Sequence, residues 1–354
     1  MHYALDKRPT FTHGIRRLLR PTPADHWEPV MTIARRSFLR LAAAAAAFPL
    51  GTGAARSQTY PSGPVRLIVG FAAGSNIDIA ARLIAQWLSE RLPAPFVVEN
   101  RPGASGILAA EAVARAPADG HTLLMTGTFN SISAILYDKL KVDFLREIAP
   151  VAGFARTAGV MMVSPSLPAT SVPEFIAYAK ANPGRINMAA DGPGSVPNLY
   201  GELFKSMTGV QMVTVHYRGS GALMDLLSGQ AHVNFSPVAP ALEFIRTGKL
   251  RALAVTTSKR CEALPELPTI GEFVPGYEAS GWQGIGAPAG TPSYVVTMLN
   301  KAVHDALSDL GFRKRLIDIG LDPFDASPEE LAHFTIEYDK KWRRVVQAAN
   351  IKVE

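Results

Sequence analysis

The sequence predicts an α/β protein of two lobes, and two patterns carry that prediction. From Gln58 onward, short β-branched or apolar runs alternate with segments of helical periodicity, the pattern of parallel sheets joined by crossover helices. The alternation then restarts near residue 157, and about 297 residues are enough for two domains of ordinary size.

In order along the chain, Val65 to Val69 reads as a buried strand and Gly70-Phe71-Ala72-Ala73-Gly74-Ser75-Asn76 as a loop. Asp78 to Leu92 follows as a helix with one apolar face, stopped by Pro93 and Pro95. Phe96 to Glu99 is a second strand, Arg101 to Gly106 a loop, Ile107 to Arg115 a second helix, and Thr122 to Met125 a third strand. The restart runs through the strand Val160 to Val163, the helix Val172 to Ala181 behind a Ser171-x-x-Glu174 capping box, and the strand Ile186 to Ala189. A helix leads from Ser195 to about Met207, and Met212 to Val215, Ala222 to Ser228, His232 to Phe235, Ala239 to Thr247 and Arg251 to Thr256 continue the alternation. Ser293 to Leu310 and Pro328 to Ala349 are amphipathic helices suited to covering a sheet laid down earlier. The expected division is a leader over 1–57, a first lobe from 58–156 plus 257–354, and a second lobe over 157–256. The expected hinge lies near Phe154 to Val160 and Thr256 to Ser258.

Residues 1–57 hold nine Lys or Arg against three Asp or Glu, so they carry the whole formal charge of +6 and leave 27 of each sign in the rest. A basic stripe for nucleic acid or anionic lipid is therefore not indicated. Arg35-Arg36-Ser37-Phe38-Leu39-Arg40, the apolar run Leu41 to Leu50 and the small residues Gly51 to Ser57 form a cleavable twin-arginine signal. That run is half of the roughly 20 residues a spanning helix needs. Met31 stands where such a leader ordinarily begins, so residues 1–30 read as an upstream extension of the start. The expected location is the periplasm, reached by the Tat route.

Cys261 is the only cysteine, so no intrachain disulfide can form. Past residue 57 the histidines are His121, His216, His232, His304 and His333, without paired spacing, and neither a metal nor another cofactor is expected.

Four loops share one design, a strand end followed by Gly and Ser and then a helix start, at residues 70–76, 101–106, 192–195 and 217–221. Glycine allows close backbone approach, and the free N–H groups and partial positive charge of a first helical turn attract anions. In open α/β sheets such mouths lie at the carboxyl ends of the strands, where ligands sit. One such loop alone is simply a capped helix; four in two lobes point to a carboxylate-sized guest held by backbone donors. No Gly-Lys-Ser or Gly-Lys-Thr follows any of them, so none is a phosphate-binding Walker loop. Gly284-Ile285-Gly286-Ala287-Pro288-Ala289 only loosely imitates a dinucleotide fingerprint, with proline where the helix should begin.

The segments Phe71 to Arg82 and Val98-Glu99-Asn100-Arg101-Pro102-Gly103-Ala104-Ser105-Gly106 resemble the signature of the tripartite tricarboxylate transporter solute receptors, or Bug proteins. The resemblance continues through Pro117 to Leu124, Gly201-Glu202-Leu203-Phe204, Tyr217-Arg218-Gly219-Ser220, Gly248 to Val255 and Ala287 to Pro292, covering Tyr60 to Lys352. It implies a type II periplasmic binding protein, monomeric, with two α/β lobes around a ligand cleft at a hinge. Such a receptor closes on a small carboxylate and delivers it to integral-membrane permease subunits. Carried over by position, Phe71, Ala73, Ser75 and Asp78 form the first wall, Thr128 and Asn130 the floor beside it, and Gly194, Ser195 and Asn198 the opposing wall.

Plainer roles stand beside these. Asp78 is either a ligand contact or a favoured first-turn acid, Ser195 is a natural N-cap, Phe71 is pocket wall or core, and Arg218 pairs with a ligand carboxylate or is structural. Trp282 and Gln283 sit at a lobe return, near the cleft's rim. Asn130 and Asn198 stand where many relatives carry His, which, with no visible Arg or Lys cluster, argues against a citrate-like guest and for a mono- or dicarboxylate, aromatic and amidated ones included. A hydrolase or isomerase on the same fold needs an activated nucleophile, and no Gly-x-Ser-x-Gly elbow exists. A receptor that presents its ligand to a histidine kinase makes the same demand on the chain as a transport receptor, closure on a ligand.

Overall fold

A computed structural model describes residues 60–137, 140–217 and 221–352; the predicted export leader lies outside the described residues. The strands are β1 (Val65–Val69), β2 (Phe96–Asn100), β3 (Thr122–Gly127), β4 (Ile148–Val163), β5 (Ile186–Ala190), β6 (Met212–His216), β7 (Val233–Pro237), β8 (Arg251–Val255), β9 (Ser280–Pro288) and β10 (Leu321–Ala326). The helices are α1 (Asn76–Arg91), α2 (Ile107–Ala114), α3 (Thr128–Leu136), α4 (Phe144–Glu147), α5 (Val172–Ala181) and α6 (Val196–Thr208), then α7 (Gly221–Ser228), α8 (Val238–Arg246), α9 (Ser293–Ser308), α10 (Leu310–Asp318) and α11 (Pro328–Ala348).

β1 lies between β2 and β3, parallel to both, and β5 lies between β6 and β7 in the same way. Every residue of β3 is buried, as expected of a strand covered by helices on both faces. The two parallel sets are joined by antiparallel strands. β9 pairs with β3 on one side and with β4 on the other. β4 is sixteen residues long: Ile148 to Ala158 pair with β9, and Gly159 to Val163 pair with β7. A single strand therefore serves both sheets.

The structure departs from the sequence reading in these antiparallel strands, where that reading places no strand at 148–159, 280–288 or 321–326, and in α3, α4 and α10, for which it places no helix. The first two strand segments are rich in Gly, Ala and Pro and carry no alternation, because close neighbours hold them extended. A Cβ at Gly284 would stand 2.7 Å from the Ala152 carbonyl oxygen, and one at Gly153 would stand 2.9 Å from the Phe324 ring. Their glycines are packing requirements, and Gly284 to Ala287 belong to a central strand rather than to a nucleotide-binding turn.

The helix starts follow local signals. Ser171 accepts from the Glu174 amide at 3.4 Å as a capping box requires, yet the Glu174 carboxylate returns to the amide and hydroxyl of Thr170 instead of to Ser171. α1 and α9 pack together, with Trp87 Nε1 donating to the Ala302 carbonyl at 3.1 Å. α11 lies against β4, α3 and α6, where the fully buried Trp342 stacks on Tyr200 at 5.7 Å between ring centroids.

Candidate ligand site

A cavity of about 570 Å³ lies between the starts of α1, α3 and α6, with Thr157 of β4 and Gly281, Trp282 and Gln283 of β9 contributing to its wall. Of the residues predicted from sequence, Phe71, Ser75, Thr128, Gly194 and Ser195 line it; Ala73, Asp78, Asn130 and Asn198 do not.

The three that carry carbonyl or carboxylate oxygens in their side chains brace the loops from behind. Gly74 has φ of +80° and donates its N–H to Asp78 Oδ2 at 2.8 Å; Gly194 has φ of +74° and donates to Asn198 Oδ1 at 3.0 Å. Ser75 N donates to the Ala72 carbonyl at 3.2 Å, and Ser195 N to the Gly192 carbonyl at 3.0 Å. Each serine hydroxyl in turn accepts from the amide three residues on, Asp78 in one case and Asn198 in the other, at 3.4 Å. Two loops on different sheets thus share one Gly-Ser-x-x-Asp/Asn architecture. At α3 the variant is Asn130 Oδ1, which accepts from Gly127 N and Thr126 Oγ1 at 3.1 Å, while Thr128 Oγ1 accepts from Trp282 N at 2.8 Å.

This geometry leaves first-turn amides without intrahelical partners on residues that line the cavity. In α1 the first intrahelical bond runs from Ile79 N to the Ser75 carbonyl, so the amides of Asn76 and Ile77 precede it, and both residues line the cavity. In α6 Val196 holds the same position, and Pro197 supplies no N–H. Helix starts concentrate partial positive charge without bringing in a side-chain cation. Among the described residues lining the cavity there is no Asp, Glu, Lys, Arg or His. Arg218, with Gly219 and Ser220 of the fourth predicted loop, lies outside the described residues.

Asp78 is buried, which by itself raises a carboxyl pKa; hydrogen bonds from Arg82, the Gly74 amide and Asn100 outweigh burial and hold it below the usual carboxylate range. Asp191, just ahead of the second loop, has no such help, and burial pushes its carboxyl up. Among the described residues no group of three His, Cys, Asp or Glu side chains is placed to hold a metal ion.

Much of the wall was not singled out in the sequence. Phe129 and Ile132 come from the first turns of α3, and Tyr200 lies one turn beyond Val196 on the same face of α6. The signal for Tyr200 was its i, i+4 spacing from a lining residue. Trp282 and Gln283 are on a central strand, buried to 2% and 6% exposure, rather than at a return on the rim. The Tyr200 hydroxyl, Trp282 Nε1 and Gln283 Oε1 are buried without a hydrogen-bond partner.

The family described as "Tripartite tricarboxylate transporter family receptor" matches residues 80–351. Protein BugT of Bordetella pertussis is 33% identical over 302 residues, 84% of this chain and 93% of BugT. Among solved structures, an R. palustris protein with adipate is 38% identical with a TM-score of 0.70, covering 83% of this chain and 99% of its own. MatC from Rhodopseudomonas palustris with bound malate is 32% identical with a TM-score of 0.66, covering 81% and 100%. The fold is therefore the two-lobed α/β architecture of periplasmic solute-binding proteins, and no helix among the described residues is long and apolar enough to cross a membrane.

Proposed function

Because the chain belongs to the tripartite tricarboxylate transporter receptor family, we propose that it is an exported receptor which closes on a small organic carboxylate and delivers it to an integral-membrane permease. Export runs through the twin-arginine leader, and the closing bodies are 58–156 with 257–354 against 157–256. The observation that carries the reading is the convergence of three braced helix starts on one cavity. Amides that precede the first intrahelical bond are pre-aimed donors, and their strength rises as closure expels water. Phe71, Ser75, Thr128, Gly194 and Ser195 supply the contacting surface, Asp78, Asn130 and Asn198 act from behind it, and Ala73 is exposed and away from the cavity. Binding without turnover fits the wall: its serines have no His or carboxylate beside them in the described lining.

The adipate and malate of the two R. palustris proteins make four- and six-carbon acids the first candidates. Native mass spectrometry of the purified protein, followed by a thermal-shift panel of carboxylates, tests the reading: a true ligand raises stability by mass action. A panel in which no organic acid shifts the transition would overturn it. Gly194 gives the sharper test. A Cβ there would fall 2.3 Å from Leu136 Cδ1, and the positive φ disfavours any side chain. Gly194→Leu is expected to fold with a transition within a few degrees of the parent and to lose roughly 100-fold in affinity, about 2.7 kcal/mol. Unchanged affinity by calorimetric titration would remove Gly194 from the wall.

A further inference from the structure

A second cavity, of about 150 Å³, lies between β9, α4 and α11, walled by Phe144, Leu145, Ile148, Leu331 and Ile336. Strand alternation places the indole of Trp282 beside it. Ile285 and Ala287 belong to the core formed with α1 and α9, so Trp282, Gly284 and Gly286 point the opposite way, toward α11. A Cβ at Gly284 would stand 3.3 Å from Leu331 Cδ2 and one at Gly286 2.5 Å from Ile148 Cγ2, and the Trp282 ring meets that of Phe334 edge to face at 5.9 Å. A space of this size walled by Leu, Ile and Phe holds one benzene-sized molecule. Leu145 and Ile336 are 46% and 43% exposed, so its apolar wall continues to the surface.

Into this wall is set one buried donor. Trp282 is almost fully buried, and its Nε1 has no hydrogen-bond partner among the described residues. The two threonines of the lining are already spent as donors: Thr126 Oγ1 donates to Asn130 Oδ1 at 3.1 Å, and Thr335 Oγ1 donates to the Leu331 carbonyl at 2.7 Å. An indole N–H donates and never accepts, and buried polar groups are nearly always hydrogen-bonded. The guest that answers this lining has an apolar body and one oxygen acceptor, and it is uncharged, because an ion would lose its water against that wall. A hydroxyl on the guest can pass its own proton to Thr335 Oγ1, which keeps its lone pairs.

We propose that this cavity is a second binding site, separate from the carboxylate cavity, for a small uncharged ring bearing one hydroxyl or carbonyl oxygen that accepts from Trp282 Nε1.

Phenol and toluene, which share a shape and differ in the oxygen, test the site by nuclear magnetic resonance titration of the isotope-labelled protein. Phenol is expected to bind with a Kd of about 0.1–1 mM, toluene about tenfold more weakly, and phenol should shift the indole N–H resonance that Trp282→Phe removes. Intermolecular Overhauser contacts from the phenol ring should reach the methyl groups of Ile148 and Leu331. Trp282→Phe is expected to bring phenol down to toluene's affinity, and Ala332→Phe, which fills the cavity from α11, to weaken phenol at least about tenfold. If either variant fails to fold, the parent's two affinities and its ring contacts decide alone. No phenol binding at about 10 mM, toluene bound as tightly as phenol, a phenol advantage that survives in folded Trp282→Phe, unchanged phenol affinity in folded Ala332→Phe, or ring contacts to Phe71 and Val196 of the carboxylate cavity instead would overturn the proposal.

Discussion

Asp78 organises the first wall without touching the cavity. Its carboxylate accepts from Gly74 N at 2.8 Å, from Arg82 Nε at 2.9 Å and Nη2 at 3.0 Å, and from Asn100 Nδ2 at 2.8 Å. Asn100 also donates to the Phe71 carbonyl at 3.0 Å, so one acid holds both ends of the loop that carries Phe71 and Ser75. Asp78→Ala leaves these donors without their acceptor and is expected to cost about 1–3 kcal/mol in denaturant unfolding. Asp78→Asn keeps an acceptor for Gly74 and loses the Arg82 pair and the bond from Asn100 Nδ2, so it should cost less than Asp78→Ala. The sign with pH follows from the depressed carboxyl. The stabilisation is fully present above the ordinary value of 3.8 and is lost as pH falls through the lower folded value. Below pH 4 the parent should therefore lose stability faster than Asp78→Asn; parallel unfolding curves for the two at pH 3 and pH 7 would refute the brace. In the sequence a first-turn Asp reads equally as helix residue or ligand contact, because the partner that distinguishes them, Asn100, lies 22 residues away.

Among elements, legibility tracked where the determining contacts lie. β1 and α5 have the limits expected from sequence because each carries its own signal, an apolar run in one and a Ser171 cap with Pro173 in the other. β9 carries none: Gly281, Gly284 and Gly286 are strand residues only because β3 and β4 flank them closely. The site inherited part of that blindness: Trp282 and Gln283 read from sequence as rim residues at a lobe return, whereas they enter the cavity from β9. The carboxy-terminal helix was legible as amphipathic, but not what its apolar face covers. In α11, Trp342 stacks on Tyr200 and meets Tyr338 at 5.8 Å, so the helix holds the back of the cavity wall. Trp342→Ala removes the largest of these rings, and a loss of about 3–5 kcal/mol is expected from chemical denaturation. A loss below 1 kcal/mol would mean that the helix rests on the domain without supporting it.

At the scale of the whole molecule, the proposed closure requires two sheets to pivot on a shared strand. The hinge we propose includes the two segments expected from sequence and a third at Ala279. Thr256 joins all three: its N–H donates to the Gly159 carbonyl at 2.8 Å, its hydroxyl accepts from Gly159 N at 3.0 Å and donates to the Ala279 carbonyl, and Ala279 N donates to its carbonyl at 2.7 Å. The residue is fully buried, so no water replaces a lost partner. Thr256→Val preserves shape and removes only the hydroxyl, leaving Gly159 N without that acceptor and the Ala279 carbonyl without that donor, at an expected cost of about 1–3 kcal/mol. Because the hydroxyl ties the crossing segments in one register, its loss should also spread the lobes over more open arrangements, and apparent affinity falls with the fraction that is competent to close. In the parent, ligand at 100 times Kd should add about 2.7 kcal/mol of stability and reduce the radius of gyration. Thr256→Val should show weaker apparent binding and a larger radius when empty, with the same compact radius once saturated. Small-angle scattering with and without ligand separates the cases: a variant whose empty and loaded radii both equal the parent's would place the pivot elsewhere on β4.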